Sequence, residues 1–208
     1  TFNKNVTNYC IVSMILIVDN IQNYKETFYN SILLPEDLQN KYNMLLLDKP
    51  KKMMKLSYCL KSYLANRLSL DNYSILYHEY GKPYLHDNNN GDMYEFNISH
   101  HKDDIALYYN NNQCVGIDIL NINHLRVSSF DCMFFSSQER EFSTNTDNFS
   151  KIWTAKEAYG KFLGTGFDDD MCNVNLVPYL DGTPFHNRFF RFLNREHILI
   201  CICEILND

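Results

Sequence analysis

Two acidic residues about forty positions apart have surroundings that suit metal and phosphate chemistry. Asp118 lies in the apolar run Val115-Gly-Ile-Asp-Ile119, and Glu157 lies between Lys156 and Lys161. Carboxylates suit Mg²⁺, and lysines beside them can neutralise phosphate oxygens. The combination predicts chemistry on a magnesium-bound pyrophosphate. The alternative is that Asp118 is a cap or turn residue after a strand and Glu157 a surface helix acid, in an i,i+4 ion pair with Lys161.

The elements that must position these residues can be predicted from hydrophobic patterning. Asp118 falls on a strand, where Gly116 lets another backbone or a ligand come close. Glu157 falls on a helix over residues 150–163, which ends at Gly164. The other predicted helices begin near residues 35, 51 and 136, and the predicted strands cover 10–18, 73–80, 94–98, 105–109, 113–119, 173–177, 189–193 and 197–205, with 105–109 and 113–119 forming a hairpin. The mixture predicts an α+β fold of two similar-sized halves that meet near residue 115.

Composition narrows the class of protein. The 208 residues include 45% hydrophobic and 21% charged residues, with a net charge of −6, which argues against a nucleic-acid binder. The seven cysteines are scattered and form no CxxC pair, so we expect reduced thiols of an intracellular protein. The longest apolar run, residues 11–18, is too short to span a membrane. Because the chain starts at Thr1, the question whether a targeting segment precedes it stays open.

Five short motifs occur in an order and at spacings that resemble the single-chain, Sfp-type 4′-phosphopantetheinyl transferases. They are Gly-Lys-Pro at 81–83, Phe-Asn-Ile-Ser-His at 96–100, Val-Gly-Ile-Asp-Ile at 115–119, Phe-Ser-Ser-Gln-Glu at 135–139 and Trp-Thr-Ala-Lys-Glu-Ala-Tyr-Gly-Lys at 153–161. The resemblance implies two α+β halves, 1–114 and 115–208, that are related by a pseudo-twofold and have the active site in the cleft between them. It also implies a cytoplasmic monomer.

The resemblance implies an enzyme that moves the phosphopantetheine arm of coenzyme A to a serine of an acyl or peptidyl carrier protein, as in fatty-acid or polyketide synthesis. Asp118 and Glu157 would hold Mg²⁺, or Mn²⁺, and Glu157 is the first candidate for the base, with Glu139 the second. Lys161, and with it Lys156, would hold the pyrophosphate. The contacts implied for the other coenzyme A phosphates are Lys82, Ser99 and His100, with Lys49 and Lys52 as further candidates, for which a solvated helix face is the alternative.

One position departs from the bacterial members of that family, which usually have an acid two residues after the aspartate. Here that position is Leu120, which cannot bind a cation. Water or His101, directly or through water, could complete the metal shell. The apolar residue resembles the eukaryotic-type enzymes. A degenerate member that binds coenzyme A or carrier protein without turnover is the alternative within the fold, and a binding module with only surface acids and lysines is the alternative outside it.

Overall fold

The computed structural model describes residues 13–110, 113–125, 131–166 and 169–206. The chain forms two antiparallel sheets and five α-helices within those ranges, and no helix there is both long and apolar enough to cross a bilayer. The strands are β1 Ser13–Val18, β2 Tyr73–Tyr77, β3 Pro83–Asp87, β4 Met93–His101, β5 Asp104–Asn110, β6 Val115–Asn121, β7 Arg188–Arg195 and β8 Ile198–Ile205. The helices are α1 Glu26–Ser31, α2 Glu36–Met44, α3 Asp48–Arg67, α4 Ser137–Phe142 and α5 Thr146–Leu163.

The two sheets divide the chain at the boundary between β5 and β6. The first sheet has five strands in the order β1-β5-β4-β3-β2, and the second has three in the order β6-β8-β7. Helix α3 packs on the first sheet through Leu60 and Leu64, and α5 packs on the second through Ala155, Ala158 and Phe162. The α+β class is therefore confirmed.

A third core lies between the sheets and fixes which way the side chains of β6 face. Ile117 and Ile119 pack there with Ala106 and Tyr108 of β5. Successive strand residues point to opposite faces, so Asp118 faces the other way, toward α5. The alternation of β6 thus places its one acid on the side of the helix that carries Glu157.

The sequence predicted most of these elements, but two expectations were wrong. Residues 105–109 and 113–119 do not form a hairpin, because both edges of β5 are occupied by β1 and β4, and β6 pairs with β8 instead. Residues 173–177 do not form a strand within the described part of the chain; they join two short 3-10 helices, Asp169–Asn173 and Val177–Tyr179. The first three residues of the strand predicted over 10–18 and the predicted turn at 111–112 lie outside the described residues.

Candidate active site

Gly116 brings helix α5 directly against strand β6. A Cβ atom at this position would lie 1.9 Å from the carbonyl oxygen of Ala158 and 2.6 Å from the backbone nitrogen of Phe162. No side chain fits that space, so the close approach depends on glycine. The consequence is that residues one turn apart on α5, Glu157 and Lys161, lie beside Asp118 in one cleft.

Asp118 is held by two donors from different elements. Its Oδ1 atom accepts a hydrogen bond from the Ser99 hydroxyl at 2.8 Å and lies 2.6 Å from the Lys161 ammonium. The same ammonium is 2.9 Å from Ser99 Oγ. Asp118 is 6% exposed and Ser99 2%, so this is a largely desolvated cluster in which charge-assisted hydrogen bonds are strong.

The pKa of Glu157 in the cleft suits general acid–base catalysis. Burial, reinforced by the negative charge of Asp118, raises its pKa to about 7, and the Lys161 ammonium opposes the shift. The distance from Lys161 Nζ to Glu157 Oε2 is 3.9 Å, much longer than that to Asp118. A carboxylate with a pKa near the operating pH can both take up and release a proton.

Three side chains of β4 form hydrogen bonds with the backbone of β6 and so align Asp118. Asn97 Oδ1, Ser99 Oγ and His101 Nδ1 accept from the backbone N–H groups of residues 117, 119 and 121, at 2.9, 3.4 and 2.9 Å respectively. We call this set the side-chain ladder. Asn97 was not singled out from the sequence, although a polar side chain at every second position of a buried strand is the signal that could have found it.

The two histidines after Ser99 have different surroundings. His100 lines the cleft and also an adjoining cavity, and burial together with the charge of Lys161 lowers its pKa. Burial and Lys102 lower the pKa of His101. Because a backbone N–H only donates, His101 Nδ1 carries a lone pair, and in the neutral ring Nε2 carries the proton. That tautomer suits donation to water or phosphate rather than direct metal binding.

Two adjoining cavities form the candidate site. The polar cleft has a volume of about 380 Å³, and it contains Asp118, Glu157 and Lys161 together with Trp153 and Leu120. The second cavity, about 640 Å³, lies against α2 and α3 and has a mostly apolar wall. Both cavities include His100 and Lys102, and the lysines around the larger one are Lys41, Lys49, Lys61 and Lys102. A ligand with a charged end and a flat apolar end would fit across them.

The structure does not bring Lys156 into the cleft. Its ammonium is fully buried on the opposite side of α5, where it lies 2.9 Å from Glu139 and donates to the carbonyl oxygens of Met171 and Val174 at 2.6 and 2.7 Å. Glu139 is equally buried and also accepts the backbone N–H groups of Ser136 and Leu176. Neither side chain can reach a substrate in the cleft from this position. Lys156 therefore cannot contact a pyrophosphate there, and Glu139 cannot act there as a base.

The other predicted phosphate contacts are divided between core and rim. Lys82 is 8% exposed and donates to the backbone carbonyl of Val115 at 2.9 Å, which ties the turn before β3 to β6 rather than opening to the cleft. Lys49 lies at the rim of the larger cavity, where it pairs with Asp103 at 3.0 Å. Lys52 lies 3.6 Å from Glu26 and packs over the ring of Tyr29.

The donor set fits a hard divalent cation held mainly by substrate and water. Asp118 and Glu157 line the cleft together, and the Lys161 ammonium between them shows that their oxygens accommodate a cation. Leu120 also lines the cleft and offers no ligand. Within the described ranges, no three His, Cys, Asp or Glu side chains group as a metal site. Two carboxylates plus phosphate and water is a ligand set that Mg²⁺ accepts.

Comparison with known proteins relates part of the chain to a described superfamily. Residues 114–202 match the family described as the 4′-phosphopantetheinyl transferase superfamily, and this segment contains Asp118, Glu157 and Lys161. The chain is also 32% identical over 114 residues to the 4′-phosphopantetheinyl transferase gsp of Aneurinibacillus migulanus. That alignment covers 51% of this chain and 46% of the relative, so the chain matches less than half of the relative's length.

Proposed function

We propose that this chain, with its superfamily match over residues 114–202, transfers the phosphopantetheine arm of coenzyme A to a serine of a carrier-protein domain. The observation that carries the proposal is the convergence of Asp118, Ser99 and Lys161 within 3 Å of one another, beside Glu157. Asp118, Glu157 and Lys161 lie in the matched segment, whereas Ser99 precedes it, and the cleft adjoins a cavity with basic residues at its rim. Two acids and a lysine beside such a cavity suit a pyrophosphate that continues into a nucleoside.

In the proposed reaction the serine oxygen attacks the phosphorus that bears the pantetheine arm. A new phosphorus–oxygen bond forms, the bond within the pyrophosphate breaks, and 3′,5′-ADP leaves with the electron pair. Mg²⁺ held by Asp118 and Glu157 would neutralise charge on the phosphate oxygens.

The residues of the chain have separate tasks in this reaction. Glu157 takes the proton of the attacking serine directly or through water. The Lys161 ammonium pairs with the pyrophosphate oxygens. His100, at the junction of the two cavities, contacts the adenosine 3′-phosphate with Lys49 at the rim. Ser99 orients Asp118 in this scheme, because its only proton is already donated to that carboxylate.

The proposal also includes the wider assembly. Residues 1–114 and 115–208 are two related α+β halves, each with one long helix on a sheet, and the cleft lies between them. The enzyme works as a monomer in the cytoplasm and tolerates Mn²⁺ in place of Mg²⁺. Its partner is an acyl or peptidyl carrier protein of the kind used in fatty-acid or polyketide synthesis.

Intact-mass measurement of a carrier protein tests the proposal. Apo carrier protein is incubated with the full chain, coenzyme A and Mg²⁺, and the product should gain the mass of one phosphopantetheine group on serine. Asp118→Asn and Glu157→Gln should abolish the gain. Asp147→Asn is the matched control, because Asp147 lies on the same helix and its ion pair is with Lys151 at the exposed surface. An unmodified carrier with the wild-type chain would refute the proposal.

A second candidate function is suggested by Leu120, which lines the cleft where bacterial relatives usually have an acid. In that case the chain binds coenzyme A without turnover. Coenzyme A would then raise the melting temperature of the chain, since a ligand of the native state stabilises it, while the carrier gained no mass.

A further inference from the structure

The ammonium of Lys161 occupies the position between the two cleft acids. It lies 2.6 Å from Asp118 Oδ1, 2.9 Å from Ser99 Oγ and 3.9 Å from Glu157 Oε2. We propose that Lys161 is a built-in counter-ion for this pair of acids, which a divalent cation must displace in order to bind. The inference rests on the proposed function, in which Asp118 and Glu157 hold the metal.

The strongest contact of Lys161 is made across elements rather than along its own helix. An ordinary i,i+4 pair with Glu157 would be a weak surface contact, and here its 3.9 Å separation is near the limit for an ion pair. The contact with Asp118 is much shorter, and that carboxylate is buried on β6. Lys161 therefore compensates the charge of Asp118, which would otherwise face Glu157 with like charge in a poorly solvated site.

The surroundings of the ammonium resemble a cation shell made of oxygens. Ser99 donates its hydroxyl proton to Asp118, and its oxygen accepts from Lys161 at 2.9 Å and from the backbone N–H of Ile119 at 3.4 Å. A carboxylate, a hydroxyl and a second carboxylate thus surround one positive charge. A metal ion that bound these two acids would repel the positive charge of the Lys161 ammonium.

Lys161 can leave this position when a pyrophosphate arrives. Its side chain is 27% exposed and flexible, whereas Asp118 is fixed by Ser99 and by the backbone of β6. With phosphate present, the ammonium exchanges carboxylate oxygens for phosphate oxygens and remains paired. Without phosphate, the incoming metal must expel it into water. Coenzyme A and the metal should therefore strengthen each other's binding through this one side chain.

Binding of Mn²⁺ alone to the full chain tests the inference without any turnover. The free ion is counted by electron paramagnetic resonance at pH 8.0 and again at 8.5, so that protonation of Glu157 is not mistaken for loss of the site. Quenching of Trp153 gives a second readout, because this is the sole tryptophan in the sequence and it lines the cleft. The variants are Lys161→Met and Lys161→Gln, which remove the charge, and Lys161→Arg, which keeps it.

We expect the two neutral variants to bind Mn²⁺ at least about tenfold more tightly than wild type, as the loss of one charge-assisted contact from the competing state implies. Lys161→Arg, which keeps the charge, should leave the affinity within about twofold. The control Lys151→Met should do the same, since Lys151 forms its ion pair with the exposed Asp147 on the same helix. Coenzyme A should raise the Mn²⁺ affinity of the wild type by a larger factor than that of Lys161→Met.

Equal or weaker Mn²⁺ binding by both neutral variants, with unchanged circular dichroism, would overturn the inference. So would the absence of Mn²⁺ binding in every variant, whatever the transfer assay shows. The proposed function is judged separately by the mass of the carrier. Tighter binding by Lys161→Met together with an unmodified carrier would support the counter-ion and refute the transferase.

Discussion

Lys156→Met should destabilise the protein strongly while leaving the cleft intact. The ammonium of Lys156 contacts Glu139 and two backbone carbonyls, and both side chains are completely buried. Burial lowers the pKa of this lysine, and the carboxylate of Glu139 opposes that shift and keeps it charged. Methionine fills a similar volume but removes the one positive charge that contacts the Glu139 carboxylate within the described residues, where the backbone donors at Ser136 and Leu176 remain.

The expected cost follows from an uncompensated buried charge. Removing one partner of a buried pair costs about 3–5 kcal/mol, which is a large part of the roughly 5–15 kcal/mol that stabilises a typical domain. For a chain of this length, each kcal/mol lowers the melting temperature by about 2–4 °C. We therefore expect the melting temperature to fall by roughly 6–20 °C.

Urea unfolding and transfer kinetics together check this prediction. The free energy of unfolding should fall by the stated amount, while the KM for coenzyme A, measured well below the melting temperature, stays near that of the wild type. Lys151→Met removes a lysine of the same helix from an exposed pair and should cost about 0.5 kcal/mol or less. A Lys156→Met protein of normal stability and raised KM would refute the reasoning, because it would place Lys156 at the substrate.

Three further predictions concern the cleft. The fold raises the pKa of Glu157 from 4.5 to about 7, so its contribution to stability is complete below about pH 4.5 and is lost as the pH rises through 7. Glu157→Gln should remove that slope in metal-free urea unfolding, where the wild type should lose up to about 3 kcal/mol from this group between pH 4.5 and 8; an unchanged slope would contradict the shift. Gly116→Ala should cost about 1–3 kcal/mol and so lower the melting temperature by about 2–12 °C, since the added methyl group overlaps the carbonyl of Ala158; normal thermal melting would disprove the close approach. His100→Ala should raise the KM for coenzyme A more than it lowers kcat, and a loss confined to kcat would exclude the proposed 3′-phosphate contact.

Local signals in the sequence were enough to place the elements that carry the site. Ser136 and Glu139 form the capping box that begins α4, and Gly164 ends α5 in the left-handed conformation, with φ of 80°. These features depend on residues within one helical turn, which a sequence shows directly. Asp118 was placed on its strand for the same reason, because the apolar run around it is a local signal.

Pairing between distant segments could not be predicted in the same way. The partner of β6 is β8, about eighty residues later, and nothing in the asparagine-rich sequence before β6 indicates that this strand joins a different sheet from β5. The different positions of the two lysines, in contrast, were available from helix geometry. Glu157 and Lys161 are about 40° apart around a helix of 3.6 residues per turn, whereas Lys156 and Lys161 are about 140° apart. One lysine faces the cleft and the other must face away.

The side-chain ladder from β4 also prevents the edge of β6 that faces away from β8 from pairing with another strand. An open strand edge presents a row of N–H groups to which any extended polypeptide can add. Here the donors of residues 117, 119 and 121 are already taken by Asn97, Ser99 and His101. Three side chains of the same protein thus prevent a strand of another chain from pairing with the strand that carries Asp118. Loss of one of these acceptors would expose a strand N–H group that can pair with another chain.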